Sequence, residues 1–155
     1  MATPAVRALE NAGVEHTLHG YEVDEAVGEG YGEAVALAIG ADPKEVFKTL
    51  MAVVDGEHIV TIIPVTERLA MKKLAAAAGG KKADMATTGD AEKLTGYVSG
   101  GISPLGQRRS HRTFLDESAA GFERIYVSAG KRGLQVELHV AALIELTGGH
   151  LADLI

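Results

Sequence analysis

A single lysine interrupts the apolar run Val46-Phe47-Lys48-Thr49-Leu50-Met51. Strand alternation places Val46, Lys48 and Leu50 on one face and Phe47, Thr49 and Met51 on the other. A cation so placed has two uses. It can guard an edge strand against aggregation, or reach into a pocket to hold a phosphate or polarise an ester carbonyl. The pattern alone leaves both open. The second group is Thr95-Gly96-Tyr97-Val98-Ser99-Gly100-Gly101-Ile102-Ser103-Pro104-Leu105-Gly106. Its paired glycines let a ligand approach the main chain and can turn N–H groups toward an oxyanion or phosphate. A tight connection needing positive φ would use the same residues. The third is Ser128-Ala129-Gly130-Lys131-Arg132-Gly133, a hairpin tip with exposed cations or an anion-facing loop with Ser128 as donor.

Other chemistries fail on spacing. With no cysteine, the chain has no disulfide, zinc finger, iron–sulfur site or protein thiol nucleophile. Gly130-Lys131 lacks the rest of a Walker A loop, since Ile125 and Arg132 stand where glycine and Ser/Thr are required. Gly101 to Gly106 misses the nucleophile-elbow spacing by one residue, with proline after its serine. Gly28-Glu29-Gly30-Tyr31-Gly32 follows an acidic stretch and lacks the dinucleotide spacing. The histidines contain no HExxH, and His16 and His19 fall on opposite faces of a strand. No metal site is expected.

The elements that must position these groups read as follows. Thr3-Pro4 opens a helix that Gly13 closes. Val14 to Tyr21 reads as a strand and Glu22 to Gly30 as an acidic loop, followed by a short helix over Glu33 to Ile39. Asp42-Pro43-Lys44-Glu45 has the logic of a capping box. Phe47 to Val54 and His58 to Val65 form a hairpin about Asp55-Gly56, the dipeptide of a type I′ turn. Thr66 starts a helix ending at Gly79-Gly80, and Asp90 to Leu94 is another. Thr113 to Leu115, Arg124 to Ser128 and Leu134 to Leu138 read as strands, the last two joined by a turn over Ala129 to Gly133. A helix from Val140 to Leu146 and a short final strand complete the chain. This order predicts an α+β fold: a mixed, largely antiparallel, barrel-like sheet with peripheral helices.

The 155 residues suit one domain over 1–155, able to bury roughly 70% of the unfolded chain's surface. No apolar run approaches the roughly 18 residues of a membrane helix, and the start lacks a signal-peptide pattern. A cytoplasmic protein is expected. The formal charge of −6 is uneven. Residues 1–43 carry Arg7 against eight carboxylates, residues 44–112 eleven cations against seven, and residues 113–155 three against six. A chain this acidic is a poor stand-alone duplex binder. Its basic middle reads either as a solvated face or as a hold for one phosphate-rich end of a ligand; if nucleic acid is the substrate, the footprint is small and a partner helps.

Together these segments resemble the YbaK/EbsC family of aminoacyl-tRNA deacylases, relatives of the editing domain of bacterial prolyl-tRNA synthetases. The matching stretches are Thr3-Pro4-Ala5, Glu45 to Leu50, Leu94 to Gln107, Asp116-Glu117-Ser118 and Val127 to Leu134, in the family's order and across nearly the whole chain. The resemblance implies a YbaK-like fold and removal of cysteine mischarged onto proline tRNA, with Cys-tRNA(Cys) a further substrate. It implies the tRNA 3′ end and prolyl-tRNA synthetase as partners, and no cofactor, metal, DNA or membrane. Lys48 takes the place of the family's essential lysine, at the 3′-terminal adenosine. Gly100, Gly101 and Pro104 fit its glycine-x-x-x-proline loop, with main-chain amides facing the scissile carbonyl. Tyr21, Tyr31, Thr49, Ser128 and Gly130 fall at substrate-binding positions. Tyr31 replaces a phenylalanine and Ala129 a glycine, and the acidic pocket position after Lys131-Arg132-Gly133 falls to Gln135 or Glu137.

The chemistry so implied is substrate-assisted: the substrate's thiolate attacks its own ester carbonyl with help from the terminal ribose hydroxyl. Two alternatives stand beside it. One is a deacylase for another small amino acid, such as alanine, that uses water. The other is a non-catalytic module binding aminoacyl-tRNA or a nucleotide.

Overall fold

The computed structural model describes residues 2–22 and 30–155. The chain opens with α1 (Pro4–Ala12), where Thr3 Oγ1 accepts the Val6 N–H at 3.1 Å and Pro4 fills the first turn. Then come β1 (His16–Gly20), α2 (Tyr31–Ile39) and a 3₁₀ turn over Pro43–Glu45. The hairpin is β2 (Phe47–Val54) and β3 (Glu57–Pro64). It is followed by α3 (Met71–Ala78), β4 (Ala83–Met85), α4 (Thr88–Thr95) and β5 (Thr113–Asp116). The last elements are β6 (Arg124–Lys131), β7 (Leu134–His139), α5 (Val140–Thr147) and β8 (His150–Ala152). Among the described residues no helix is long and apolar enough to cross a membrane.

The strands form two sheets. One is antiparallel, in the order β1-β7-β6, and the other is mixed, in the order β4-β2-β3-β5-β8. In the second, β4, β2 and β3 pair antiparallel while β3 with β5 and β5 with β8 run parallel. A parallel bridge between Val46 and Tyr126 brings the two sheets edge to edge, and neither closes into a barrel. Alternation sorts the core. Phe47, Met51, Val60 and Ile62 join Ile125, Val127, Val136 and Leu138 of the other sheet, under Leu9 and Leu143. Ala52, Val54, Ile59 and Ile63 face the other way onto Leu74 and Phe114. Being apolar on both faces is what makes β2 and β3 near-continuous hydrophobic runs.

The structure corrects several boundaries. The helix expected from Thr66 begins at Met71. Glu67 N–H closes a turn on Pro64 O, and Ala70 N–H donates to Leu154 O at 2.7 Å, so residues 66–70 tie down the C-terminus instead. The turn expected over Ala129–Gly133 shrinks to Arg132-Gly133. The strand β6 runs on to Lys131 through a bulge, with its register on β7 shifting between Ser128 and Lys131. β4 and a 3₁₀ turn over Glu117–Gly121 are additional. Residues 23–29 of the acidic loop expected after Glu22 lie outside the described residues.

Candidate active site

β4 pairs only with Ala52–Val54, and one further bond joins Ala86 N–H to Met51 O. Between that pairing and the Val46–Tyr126 bridge, the stretch of β2 about Thr49 is therefore open on that side. A cavity of about 250 Å³ lies along it, walled by α2, β2, α4, the loop after α4 and the β6–β7 hairpin. Val46 O accepts from Val65 N–H on the β3 side, whereas Met51 O faces β4. By alternation the Thr49 N–H and C=O turn to the open edge. Lys48, Thr49, Tyr31, Gly100, Ser128 and Gln135 all line this cavity.

Lys48 is half-buried, neither a core residue nor a free surface cation. Burial holds its ammonium below the ordinary lysine value, and Arg68 pushes the same way; Glu33 and Glu67 oppose them. The desolvated amine is thus predisposed to an anionic or carbonyl oxygen.

The opposing loop is rigidly pinned. Buried Tyr97 donates its hydroxyl to Leu105 O at 2.6 Å, and burial pushes its phenol up to about 12. Glu92 accepts the Ser99 N–H at 2.7 Å, and Arg132 Nε donates to Ser99 O at 3.0 Å, tying the loop to the hairpin. Gly100 has φ 87°, a left-handed conformation that puts it on the cavity wall. Gly101 sits behind it. Its N–H donates to Val98 O at 2.9 Å, and a Cβ there would stand 2.7 Å from Lys131 Cα. Pro104 is buried away from the cavity, and the half-buried bulge residue Gly130, whose N–H donates to Ser128 Oγ at 3.2 Å, does not line it either. A Cβ at Gly130 would lie 2.8 Å from the Tyr97 ring. These three residues shape the walls; they do not line them.

Tyr21 stands one layer out, its hydroxyl accepting from Gln135 Nε2 at 3.3 Å. The Tyr31 phenol is raised to about 12, first by burial and then by Tyr21, with Arg132 pulling it down. Of Gln135 and Glu137, the one that lines the cavity is Gln135, opposite Ser128 in the hairpin register. Glu137 lies one step further along the same face of β7, beyond the cavity, 3.0 Å from His19 Nε2. Gln135 is the residue that sequence reasoning left undecided, and its pairing with Ser128 is the signal that marks it. Around one cavity the oxygens Thr49 Oγ1 and Gln135 Oε1 are shielded and without hydrogen-bond partners among the described residues. Native proteins leave few such atoms unmet, and a cluster marks a place where a polar ligand completes the network.

Comparison with known proteins gives three findings. Residues 30–146 match the aminoacyl-tRNA editing domain family. The chain is 42% identical over 123 residues to a protein of Enterococcus faecalis named as a Cys-tRNA(Pro)/Cys-tRNA(Cys) deacylase, EbsC, covering 79% of this chain and 75% of that one. A solved structure described as a trans-editing enzyme for prolyl tRNA synthetase superposes with a TM-score of 0.82 at 25% identity, over 99% of this chain and 98% of that one. A second, the hypothetical protein APE2540, gives 0.83 at 22% identity, over 98% and 99%, and shares the fold.

Proposed function

The chain belongs to the aminoacyl-tRNA editing domain family, and on that premise we propose that it is a trans-editing deacylase clearing cysteine from proline tRNA. The observation that carries the reading is the convergence of Lys48, Gly100, Thr49, Ser128 and Gln135 on one small cavity. Lys48 grips the 3′-terminal adenosine end. The scissile carbonyl faces the Gly100 loop, where Gly101 has committed its own N–H to Val98 and leaves the amides beside it as donors. Thr49, Ser128 and Gln135 offer polar contacts to the aminoacyl group, and Tyr21 steadies Gln135.

An aminoacyl ester is already activated, so positioning and oxyanion stabilisation suffice. A preorganised donor contributes about 10²–10³ in rate, and orientation of an intramolecular nucleophile contributes roughly 7–11 kcal/mol. The substrate thiolate attacks its own carbonyl carbon. A C–S bond forms, the ester C–O bond breaks, and the ribose oxygen leaves carrying the proton that the substrate thiol gave up on becoming the thiolate. Water then opens the thiolactone to free cysteine. Proline has no thiol, so the correct product survives by its chemistry as well as its fit. The net charge of −6 disfavours tight tRNA binding. We therefore place the enzyme in the cytoplasm beside prolyl-tRNA synthetase, receiving the 3′ end as the synthetase releases it.

The test is a deacylation panel of proline tRNA charged with cysteine, alanine or proline, run with and without the synthetase. Cysteine should be cleared fastest and proline spared. Equal cleavage of the cysteinyl and alanyl esters would rule out the thiol as nucleophile and favour water.

A further inference from the structure

A second cleft, of about 300 Å³, lies on the other side of α4 and is lined by His58, Asp90, Lys93, Leu94, Arg108 and Arg109. We propose that it seats backbone phosphates of an RNA strand whose 3′ end occupies the first cavity; the proposal rests on the deacylase reading for the identity of that strand. One helix serves both places. Thr88 and Ala91 of α4 line the cavity, while Asp90, Lys93 and Leu94 line the cleft. A helix is about 10–12 Å across with its side chains. The cleft is thus a few nucleotides from the reacting ester, where the strand leaving the cavity must run.

The charges there are uncommitted. Lys73, Lys82, Arg112 and Arg124 each sit against a carboxylate, at Asp153, Asp84, Glu57 and Glu15. Lys93 and Arg109 are exposed and have no such partner among the described residues. Arg108 makes only a long 3.4 Å contact to Lys93 O, leaving most of its guanidinium donors free. Asp90 is the single acidic residue of the lining, and it stands 3.7 Å from His58 Nε2, too far for a hydrogen bond. That His58 nitrogen is shielded and unpartnered among the described residues. Two exposed cations without a carboxylate partner, a loosely held Arg108 and an unmet imidazole nitrogen are together a site for oxyanions. A position continuous with the aminoacyl site favours RNA over an acidic protein face. In a chain of net charge −6, such a seat supplies grip at one spot without making the whole surface sticky.

The experiment uses Lys93→Ala/Arg109→Ala in the full chain. Binding is read by fluorescence anisotropy on an uncharged acceptor-stem RNA hairpin ending in CCA. Catalysis is read on cysteinyl-adenosine, which has no phosphate. We expect Kd to rise about tenfold and the log Kd–log salt slope to flatten by about 1–2, with turnover of cysteinyl-adenosine unchanged. An unchanged Kd and slope overturns the proposal, even if capture by prolyl-tRNA synthetase weakens, since the cleft then belongs to a protein contact. Equal losses on RNA and cysteinyl-adenosine also overturn it, because they mark a structural role. A wild-type chain inactive on every ester refutes the deacylase reading alone; the binding arm still decides the cleft.

Discussion

Gln135 donates Nε2 to the Tyr21 hydroxyl at 3.3 Å while its Oε1 remains buried with no partner among the described residues. One end of the amide is thus tethered and the other end is unmet, at the wall of the cavity that Lys48 also lines. Leaving a buried acceptor unsatisfied costs about 1–3 kcal/mol, whereas an apolar residue of similar shape avoids that penalty. Gln135→Leu should therefore match or exceed the wild-type melting temperature. If a substrate N–H meets Oε1, the same change should lower kcat/KM for cysteinyl tRNA by about tenfold, the worth of one hydrogen bond of about 1.4 kcal/mol. A stability loss with full activity would show that Gln135 serves the fold alone.

Gly101→Ala tests the seam between the glycine loop and the β6–β7 hairpin. The added Cβ would meet Lys131 Cα at 2.7 Å and Arg132 N at 2.8 Å, main-chain atoms that cannot step aside cheaply. Overpacking of this kind costs about 1–3 kcal/mol. Because the loop carries Gly100 on the cavity wall, kcat should fall along with the denaturation midpoint. Gly100→Ala differs in cause: its Cβ meets the flexible Arg132 side chain, but its φ of 87° strains any L-residue. Unchanged stability in Gly101→Ala would mean that the loop and hairpin are not in register as described.

Asp55 illustrates how much of the framework is local chemistry. At φ 48° it opens the β2–β3 turn with Gly56 at φ 86°, as the Asp-Gly pair predicts. Its carboxylate also accepts the Lys81 and Lys82 N–H groups at 2.8 and 3.0 Å, which holds it below the ordinary value of 3.8. A depressed carboxylate adds stability above its unfolded value, and that share is lost as pH falls through the folded one. Urea denaturation at about pH 6 and about pH 3 should show a smaller acid loss in Asp55→Asn than in wild type. Equal losses would deny the carboxylate this role.

Turns and caps were legible because each depends on a few adjacent residues, as at Thr3-Pro4 and Asp55-Gly56. β4 was not, since Ala83–Met85 is too short for any periodicity and is set only by pairing with Ala52–Val54. Thr66 looks like a helix cap, yet the chain after it is claimed by Leu154, eighty-odd residues away in sequence. The site divides the same way. Lys48 stands out as a lone charge in an apolar run, but its position on an open half-edge follows from where β4 stops. Gln135 and Glu137 share one face of β7, so the choice between them rests on distance along the strand: Gln135 pairs with Ser128 at the cavity, whereas Glu137 pairs with Tyr126 beyond it. The groups around Lys48 at Glu33, Glu67 and Arg68 come from separate segments, and nothing in their local sequence announces them.

The pH profile of Lys48 gives the sharpest check on its role. Its ammonium is held below the ordinary value of 10.5, chiefly by burial and then by Arg68. In the window between the folded and unfolded values, the unfolded chain holds more protons, so stability rises with pH there. Activity should move the opposite way. If the cation grips the substrate, kcat/KM corrected for uncatalysed ester hydrolysis must fall as pH climbs through the folded value, earlier than a free lysine would allow. Lys48→Met should cost at least about tenfold at neutral pH, below the 10²–10³ that a well-placed electrostatic donor contributes. Lys48→Arg keeps a charge that does not titrate in this range. Whatever activity it retains should therefore lack the descending limb, and a limb that persists in Lys48→Arg would assign the titration to another group.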